Sequence, residues 1–425
     1  MRILLLQAPV ARVTSHAHQS PPLGLAYVAA HLLADGHEVE LIDLNLSGLN
    51  PVRVRRALER VDPQLVGISA HTEAFPNALS IARLVKERDA STPIVFGGPH
   101  ASILPLAVLA EECVDFVAVG EGERTAVELA RALACEGSVE AIAGLGYERD
   151  GEPTLNPPRE PLDPAEIGRP ARELLSLEFY DDAYNILVMR GGCPYRCPFC
   201  SASYLWGARR RMRPVADILA EVDEVVSAYG TEHVFFVDDI LTLNRRWLDE
   251  LLDGLAAYDR RLAWGCATRV DCVDDALLRR MAQAGCTGIQ FGIESGAQEI
   301  LDSVKGIEKE KALQAVRSAV GSGINASCSF MIPFPEDTEA TLAETAAFMG
   351  QLQAEGGRLL ISYTTPFPGT KFHEQADELG LRIISDDWSL YDAKHVVMET
   401  RQLSAARIEE IASAIAAELG MAKTA

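Results

Sequence analysis

Basic charge is scarce in this chain of 425 residues, because 39 Lys and Arg stand against 61 Asp and Glu. The formal net charge is −22, and aromatic residues make up only 6% of the chain. Proteins that follow a nucleic-acid backbone carry clustered positive charge, often with stacking aromatics. We therefore expect no nucleic-acid partner.

Long apolar runs are also missing at the amino terminus. Residues 1–6 read MRILLL, and Pro9 soon interrupts the run. A signal peptide needs an apolar stretch of about 7–15 residues, and a membrane helix needs ~20. We expect no membrane partner and a cytoplasmic protein. Its nine cysteines would then remain reduced thiols.

Several catalytic patterns are absent as well. The sequence shows no phosphate-binding loop, no Ser-His-Asp arrangement and no second cysteine cluster beside the one at residues 193–200. Six other cysteines lack pair spacing, and we interpret them as small core residues. They are Cys113, Cys135, Cys266, Cys272, Cys286 and Cys328.

The length and the apolar content of 48% suit two domains with a short tail. In residues 1–143, short apolar runs alternate with helical patterns, which predicts a doubly wound, Rossmann-like parallel sheet. The predicted strands are residues 3–6, 39–44, 65–69, 94–96 and 116–119. Ligands of such sheets bind beyond the carboxyl ends of the strands. The candidate binding residues at these ends are Ser69, Gly97, Gly98 and Gly122.

Residues 144–182 differ in character and are predicted to be a linker. They contain a hairpin with an Asp-Gly turn, followed by a proline-rich stretch. Alternation resumes over 183–370, where six strand–helix units predict a partial (β/α)6 barrel. Residues 371–425 form a predicted helical tail behind a Ser404 N-cap.

Residues 190–200 read RGGCPYRCPFC and directly follow a predicted strand at residues 186–189. Cys193, Cys197 and Cys200 have C-x3-C-x2-C spacing, and no Cys or His occurs in residues 201–230. Three thiolates can hold three irons of a [4Fe-4S] cluster and leave the fourth iron open for chemistry. The alternative is three buried cysteines without a ligand, or a zinc site completed from a distant part of the chain. The spacing resembles that of the radical SAM superfamily, whose open iron binds S-adenosylmethionine.

Polar residues follow the predicted strands of the second domain, where a barrel gathers its reacting groups. Carboxylates there can accept hydrogen bonds from an ammonium or a ribose, and Arg offers a fork to a carboxylate. The alternative for Asp238 and Glu294 is a helix cap. The candidate cofactor-binding residues on this rim are Asp238, Asp239, Arg269, Glu294, Ser295, Lys305 and Phe334.

Motifs in both domains resemble the radical SAM subgroup that carries an amino-terminal cobalamin-binding domain. PPLGL at 21–25, GGPHA at 97–101 and GEGE at 120–123 are similar to its first domain. Its catalytic domain is matched by FVDD at 236–239, TRVD at 268–271, FGIESG at 291–296 and PFPGT at 366–370.

The resemblance implies that the three cysteines bind the cluster and that Phe199 lies near the adenine. It also implies that Asp238 or Asp239 holds the methionyl amino group, and that Glu294 and Ser295 approach the ribose. A one-electron reductant of the flavodoxin or ferredoxin type would be a partner.

The sequence departs from the subgroup pattern in two places. Pro333 occupies a position that usually carries a glycine, beside Phe334. The D-x-H-x-x-G signature that supplies an axial histidine to cobalamin is missing, and many members of the subgroup lack it too. If cobalamin is bound, we therefore expect it to bind without a histidine ligand from this chain.

Three functions remain open from the sequence. The leading hypothesis is cobalamin-dependent C-methylation of a small natural-product intermediate through a 5′-deoxyadenosyl radical. The first alternative is cobalamin-independent dehydration, dehydrogenation or rearrangement of a polyol or amino sugar. The second is a non-enzymatic iron–sulfur or cobalamin sensor.

Overall fold

The computed structural model describes residues 1–10, 20–135, 137–181, 184–258 and 262–421. Residue contacts divide the chain into two compact units, Met1–Ala183 and Tyr184–Ala425. In each unit, apolar strands form a sheet against which amphipathic helices pack, as the alternating sequence pattern predicts.

The first unit contains a seven-stranded sheet in the order β2-β1-β3-β4-β5-β6-β7. Neighbouring strands from β2 through β5 pair in parallel, and β6 and β7 add antiparallel pairs. This confirms the predicted doubly wound sheet. The strands are β1 (Arg2–Gln7), β2 (Glu38–Asp43), β3 (Leu65–Ser69), β4 (Ile94–Gly97), β5 (Phe116–Ala118), β6 (Leu145–Arg149) and β7 (Glu152–Leu155).

Helices of the first unit follow from apolar spacing and local caps. The first helix buries Leu25, Ala29 and Leu32 on one face, and Gly36 follows it with a positive φ of 84°. The second begins after Asn50, whose side chain accepts hydrogen bonds from two backbone N–H groups. The helices are α1 (Leu23–Ala34), α2 (Pro51–Val61), α3 (Phe75–Arg88), α4 (Pro99–Ile103), α5 (Pro105–Leu109) and α6 (Gly122–Ala134).

The predicted hairpin after residue 143 belongs to the sheet of the first unit. Asp150 and Gly151 both have positive φ, as the turn between β6 and β7 requires. The division between the units falls after Ala183. The predicted linker of residues 144–182 is therefore counted within the first unit, and its hairpin extends that sheet by two strands.

The second unit contains a six-stranded sheet in the order β15-β14-β13-β12-β11-β8, with every neighbouring pair parallel. This confirms the predicted partial barrel. Two additional strand pairs are antiparallel, β9 with β10 and β16 with β17. The strands are β8 (Asn185–Leu187), β9 (Met189–Gly191), β10 (Arg210–Met212), β11 (His233–Val237), β12 (Ala263–Thr268), β13 (Cys286–Glu294), β14 (Asn325–Ile332), β15 (Arg358–Tyr363), β16 (Arg382–Ile383) and β17 (Met398–Glu399).

Helices of the second unit pack on this sheet around an apolar core that includes Phe236, Trp264 and Phe291. The last helix starts behind Ser404, whose hydroxyl accepts from the Arg407 N–H as predicted. The helices are α7 (Ala202–Trp206), α8 (Val215–Tyr229), α9 (Arg245–Ala256), α10 (Asp275–Gln283), α11 (Gln298–Val304), α12 (Lys309–Gly321), α13 (Glu339–Ala354), α14 (Lys371–Glu374), α15 (Ala376–Leu379) and α16 (Ala405–Glu418).

Among the described residues, no helix combines the length and the apolar character that a membrane crossing requires. Of the six cysteines predicted to be core residues, four are buried. The prediction is wrong for Cys135, which is exposed just after α6, and Cys272 is only partly buried.

Candidate functional site

The cysteine loop leaves the barrel after β8, an edge strand of the sheet and the first of its six strands in the chain. Val188 separates β8 from β9, and the short β9–β10 ribbon then carries residues 192–200 away from the sheet. Backbones approach very closely here, because a Cβ on Gly192 would lie 1.7 Å from the carbonyl oxygen of Gly207. Only glycine therefore fits at this point of the loop.

The three cysteine thiols lie in a partly desolvated environment. Cys193 is buried, while Cys197 and Cys200 are partly buried. Burial raises the pKa of all three thiols, and that of Cys200 reaches about 11. Metal binding would have to remove these protons, since the thiolate is the ligand.

The described parts of the chain contain no site built to hold a single metal ion. No three His, Cys, Asp or Glu side chains there are grouped for that purpose. In a cubane cluster the thiolates bind different irons, so such grouping is not required of them.

Aromatic packing anchors the carboxyl end of the cysteine loop. The Phe199 ring lies 5.6 Å from the Phe334 ring and 6.3 Å from the Phe372 ring, measured between centroids. The Phe372 N–H also donates to the carbonyl oxygen of Pro198 at 3.2 Å. The structure thus brings together Phe199 and Phe334, two predicted cofactor-contacting residues.

The paired aspartates after β11 have different environments. Asp238 is buried, forms an ion pair with Arg210, and accepts from the Ile240 N–H at 3.1 Å. Asp239 is exposed to solvent, yet nearby protein partly desolvates its carboxyl group. Among the described residues, no hydrogen bond or ion pair holds its carboxylate. The two aspartates therefore differ in their freedom to bind a ligand.

The negative charge of Asp239 affects the pKa of two thiols in the cysteine loop. Burial is the main reason for the raised pKa of Cys193 and Cys200, and the Asp239 charge raises both further. Burial and the neighbouring Asp238 charge in turn raise the pKa of the Asp239 carboxyl. The charge of this carboxylate therefore disfavours the thiolate form of Cys193 and Cys200.

Arg269 connects the third strand of the barrel to the cysteine loop. Its guanidinium lies 3.8 Å from the centre of the Tyr195 ring and makes two 2.8 Å hydrogen bonds to Asp271. A further bond reaches the carbonyl oxygen of Lys305 at 3.1 Å. The Nη1 atom is buried and has no partner among the described residues.

Glu294 and Lys305 form a buried ion pair at the end of β13. The pair is 2.7 Å long, and the two side chains are only 9% and 7% exposed. Lys305 also donates to the carbonyl oxygen of Gly292 at 2.6 Å. Glu294 has a φ of 78°, at a shift in the pairing register of β13 with β14. This backbone conformation turns the carboxylate toward Lys305.

Ser295 takes part in a local network. Its hydroxyl lies 3.1 Å from the Thr345 hydroxyl and accepts from the Ala297 N–H at 3.2 Å. The Gly296 N–H donates to the same Thr345 hydroxyl at 3.0 Å. These bonds join the end of β13 to α13, and the predicted contact of Ser295 with a ribose stays a prediction.

Buried polar atoms without a partner test whether this rim fits the expected cofactor. Among the described residues they include Nη1 of Arg269, Nε and Nη1 of Arg210, and the Thr364 hydroxyl just after β15. Such atoms are costly to bury and commonly meet a ligand. The carboxylate and ribose oxygens of S-adenosylmethionine can accept from these donors, and its ammonium can donate to a carboxylate such as Asp239, so the residues present fit it.

Arg210 is a residue of this site that the sequence alone did not identify. It belongs to a run of three arginines at 209–211, which begins nine residues after Cys200. That position was the available signal.

The first unit places its candidate residues at the carboxyl ends of β3 and β4. Ser69 ends β3, and the Gly97–Gly98 pair follows β4. Gly98 has a φ of 89°, and a Cβ there would lie 2.8 Å from the Ser69 hydroxyl. The missing side chain thus lets the backbone at Gly98 approach Ser69 and Ala70 closely. Gly122 starts α6 and belongs to the same set of strand ends.

His100 follows these glycines but is not presented as a ligand. It is buried, its ring lies 4.2 Å from the Phe75 ring, and Nδ1 is 3.3 Å from the Thr72 hydroxyl. Burial lowers its pKa to about 4. His100 is therefore packed in the interior of this unit, in keeping with the absent axial-histidine signature.

Comparisons with known proteins agree with this architecture. Residues 9–130 match the B12 binding domain, and residues 187–349 match the radical SAM superfamily. An uncharacterized methyltransferase of Pyrococcus horikoshii is 31% identical over 421 residues, which cover 97% of this chain and 90% of that protein.

Two further matches extend the comparison. The anaerobic magnesium-protoporphyrin IX monomethyl ester cyclase of Rubrivivax gelatinosus is 27% identical, over 89% of this chain and 70% of that protein. The structure of the radical S-adenosylmethionine methyltransferase TsrM from Kitasatospora setae, solved with cobalamin and a [4Fe-4S] cluster, superposes with a TM-score of 0.74. It shares 20% identity, over 91% of this chain and 78% of that one, and so supports the fold.

The domain matches also give the cofactors of the family. The radical SAM domain uses a [4Fe-4S] cluster and S-adenosylmethionine, and the B12-binding domain uses cobalamin. Enzymes of this kind act on small substrates and take electrons from a reductant. With both domains present and a full-length relative above 30% identity, this chain belongs to the cobalamin-dependent, methyltransferase-like radical SAM enzymes.

Proposed function

We propose that this protein is a C-methyltransferase that transfers a methyl group to an unactivated carbon of a small natural-product intermediate. The observation that carries the proposal is the presence, in one chain, of an open three-cysteine loop on the barrel rim and a B12-binding domain. When bound, the cluster and S-adenosylmethionine supply hydrogen-atom abstraction from carbon, and methylcobalamin supplies the methyl group.

Residues of the cysteine loop would hold and bury the cluster. Cys193, Cys197 and Cys200 each provide one thiolate, and the fourth iron is left for S-adenosylmethionine. Phe199 packs against Phe334 and fixes the loop beside the barrel, where an adenine would contact apolar surface. Exclusion of water there limits side reactions.

Side chains of the rim would orient the methionine and ribose groups. Asp239 is the better acceptor for an ammonium, since Asp238 already pairs with Arg210. The buried Nη1 atom of Arg269 can donate to a carboxylate. Glu294 keeps one oxygen on Lys305 and can accept a ribose hydroxyl with the other.

In the first unit, Ser69 and the Gly97–Gly98 pair would contact cobalamin, with Gly122 at the start of the neighbouring helix. A Cβ at Gly98 would meet Ser69 and the carbonyl oxygen of Ala70 at 2.8 and 2.9 Å. Gly98→Val should therefore reduce cobalamin retention and leave the cluster absorbance unchanged.

The test of methylation is an anaerobic product assay. The protein is reconstituted with iron and sulfide, with or without hydroxocobalamin, desalted, and incubated with S-adenosylmethionine, a reductant and candidate substrates. Stoichiometric cobalamin retention with formation of both S-adenosylhomocysteine and 5′-deoxyadenosine supports the proposal. Failure to retain cobalamin under any condition contradicts it.

Assignment of the methionine site is tested by the paired aspartates. Asp239→Asn should weaken S-adenosylmethionine binding by about tenfold or more, because a charge-assisted bond to an ammonium contributes about 1.5–3 kcal/mol. Asp238→Asn instead removes the partner of Arg210 and should affect protein stability. Equal affinity in Asp239→Asn and the unchanged protein would contradict the assignment.

A second function is favoured by one comparison. The Rubrivivax relative is named a cyclase, so ring formation occurs among proteins similar to this chain. The alternative reaction is radical dehydration, dehydrogenation or rearrangement of a polyol or amino sugar without methyl transfer. Retention of the cluster alone, with 5′-deoxyadenosine as the only nucleoside product, would favour it.

A further inference from the structure

Arg210 lies beside the strand that leads into the first cysteine of the loop. It pairs with Gly191 across the β9–β10 ribbon, two residues before Cys193. A Cβ on Gly191 would lie 2.2 Å from the carbonyl oxygen of Arg209. The two backbones are thus in close contact, and the start of the Arg210 side chain is fixed relative to the loop.

One end of the Arg210 guanidinium is firmly held. Its Nη2 atom pairs with the Asp238 carboxylate and donates to the carbonyl oxygen of Ile240 at 3.1 Å. Asp238 is itself held by the Ile240 N–H. Since both partners belong to the segment after β11, the guanidinium has one defined orientation.

The remaining donors of Arg210 are unsatisfied. The side chain is only 10% exposed, and Nε and Nη1 have no partner among the described residues. A buried donor without an acceptor costs about 1–3 kcal/mol, and more when it is charged. The arrangement thus indicates an acceptor that binds at this point.

The groups near these donors identify the kind of acceptor. Arg210 pairs with Gly191, two residues before Cys193, so its side chain starts beside the backbone that leads into the first predicted cluster ligand. Its ion pair with Asp238 places the guanidinium at the segment after β11 as well. Asp238 and Asp239 are the facing carboxylates, and among the described residues neither bonds to Nε or Nη1.

We propose that Arg210 donates a hydrogen bond from Nε or Nη1 to a sulfur of the [4Fe-4S] cluster on the Cys193 side, and so raises the reduction potential of the cluster. This inference rests on the cluster site proposed above. Reduction adds negative charge to the cluster, and a nearby cation that also donates to sulfur stabilises the reduced form. Asp238 keeps the guanidinium oriented toward the loop.

The experiment is an anaerobic redox titration of the reconstituted protein, followed by electron paramagnetic resonance without S-adenosylmethionine. Arg210→Gln should shift the one-electron equilibrium toward the oxidised cluster by about tenfold, equal to a midpoint lower by about 59 mV. Arg209→Gln is the matched control. It removes the same charge from an exposed neighbouring residue and should leave the midpoint unchanged.

Arg210→Lys separates charge from geometry, because it keeps the cation but loses the planar fork. We expect its midpoint to lie between those of the unchanged protein and Arg210→Gln. If Arg210→Gln binds no cluster, the midpoint potential of Arg210→Lys is the deciding measurement. A midpoint in Arg210→Lys equal to that of the unchanged protein then overturns the proposal. Equal shifts in Arg209→Gln and Arg210→Gln also overturn it, since only general charge would then act.

Two further results would assign the donors or the site differently. An unchanged midpoint in Arg210→Gln with weaker S-adenosylmethionine binding, measured by equilibrium dialysis, would make the substrate carboxylate the acceptor and overturn the proposal. Absence of any cluster from the unchanged protein would instead refute the proposed cluster site itself. This result distinguishes failure of the cluster site from failure of the Arg210 proposal.

Discussion

Lys305 Nζ lies 2.7 Å from Glu294 Oε1, and both side chains are more than nine-tenths buried. Glu294 has a positive φ of 78°, a conformation that costs a non-glycine residue about 1–3 kcal/mol. Gly292 makes room for the pair, because a Cβ there would lie 2.6 Å from both charged groups. The ion pair therefore holds the end of β13 in its strained form.

Removal of Lys305 should destabilise the second unit. Lys305→Met leaves the Glu294 carboxylate buried without its partner, and breaking a buried pair in this way costs about 3–5 kcal/mol. Urea unfolding monitored by tryptophan fluorescence measures the loss, since all four tryptophans lie in the second unit.

The double variant Lys305→Met with Glu294→Gln provides the control. It removes both charges and should recover part of the lost stability. If the double variant is no more stable than Lys305→Met alone, the uncompensated charge is not the cause.

Cluster binding should depend on the cysteine loop and not on thiols in general. Cys197→Ala should abolish the broad iron–sulfur absorbance after reconstitution, because two thiolates remain for the cluster. Cys135→Ala removes an exposed thiol of the first unit and should retain full iron content. Iron and sulfide analysis of both proteins measures the outcome. Retention of a full cluster by Cys197→Ala would show that the ligand assignment is wrong.

Local patterns in the sequence predicted most of the fold. The predicted strand at residues 65–69 coincides with β3 (Leu65–Ser69), and the predicted Ser404 N-cap precedes α16 (Ala405–Glu418). Apolar periodicity and caps act within one element, so they can be interpreted from neighbouring residues. The position of the cysteine loop at a strand end followed from the same local reasoning.

Side-chain partners across long sequence separations could not be predicted. Arg210 pairs with Asp238, 28 residues later, and Ser295 reaches Thr345, 50 residues later. Only the folded chain brings these residues together. For the same reason, the sequence did not show that Asp238 is paired while Asp239 is accessible, or that the hairpin after residue 143 joins the first sheet.

Close backbone contact makes the cysteine loop intolerant of side chains at Gly192. Gly192→Ala would place a Cβ 1.7 Å from the carbonyl oxygen of Gly207, so the loop must move away from the segment after α7. We expect the variant to retain less than about half of the iron, since overpacking of this kind shifts the backbone. Gly321→Ala is the control, because a Cβ there meets nothing within 4 Å. Normal iron content in Gly192→Ala would contradict this account.

Acid should weaken the first unit through His100. Burial lowers the pKa of His100 to about 4 in the folded protein, from an ordinary value of 6.5. Between these values the unfolded chain binds a proton that the native protein does not. Above pH 6.5, His100 therefore does not change the free energy of unfolding. As the pH falls from 6.5 toward 4, the free energy of unfolding decreases by up to about 3 kcal/mol.

Amide hydrogen exchange of first-unit peptides at pH 7 and pH 5, corrected for intrinsic exchange rates, measures this loss. His100→Gln cannot gain the proton on unfolding, so its protection should fall less between the two pH values than that of the unchanged protein. His71→Gln is the control, because the His71 side chain is exposed to solvent in the native protein. Its loss of protection should match that of the unchanged protein. An identical loss in His100→Gln would mean that other groups cause the acid sensitivity of this sheet.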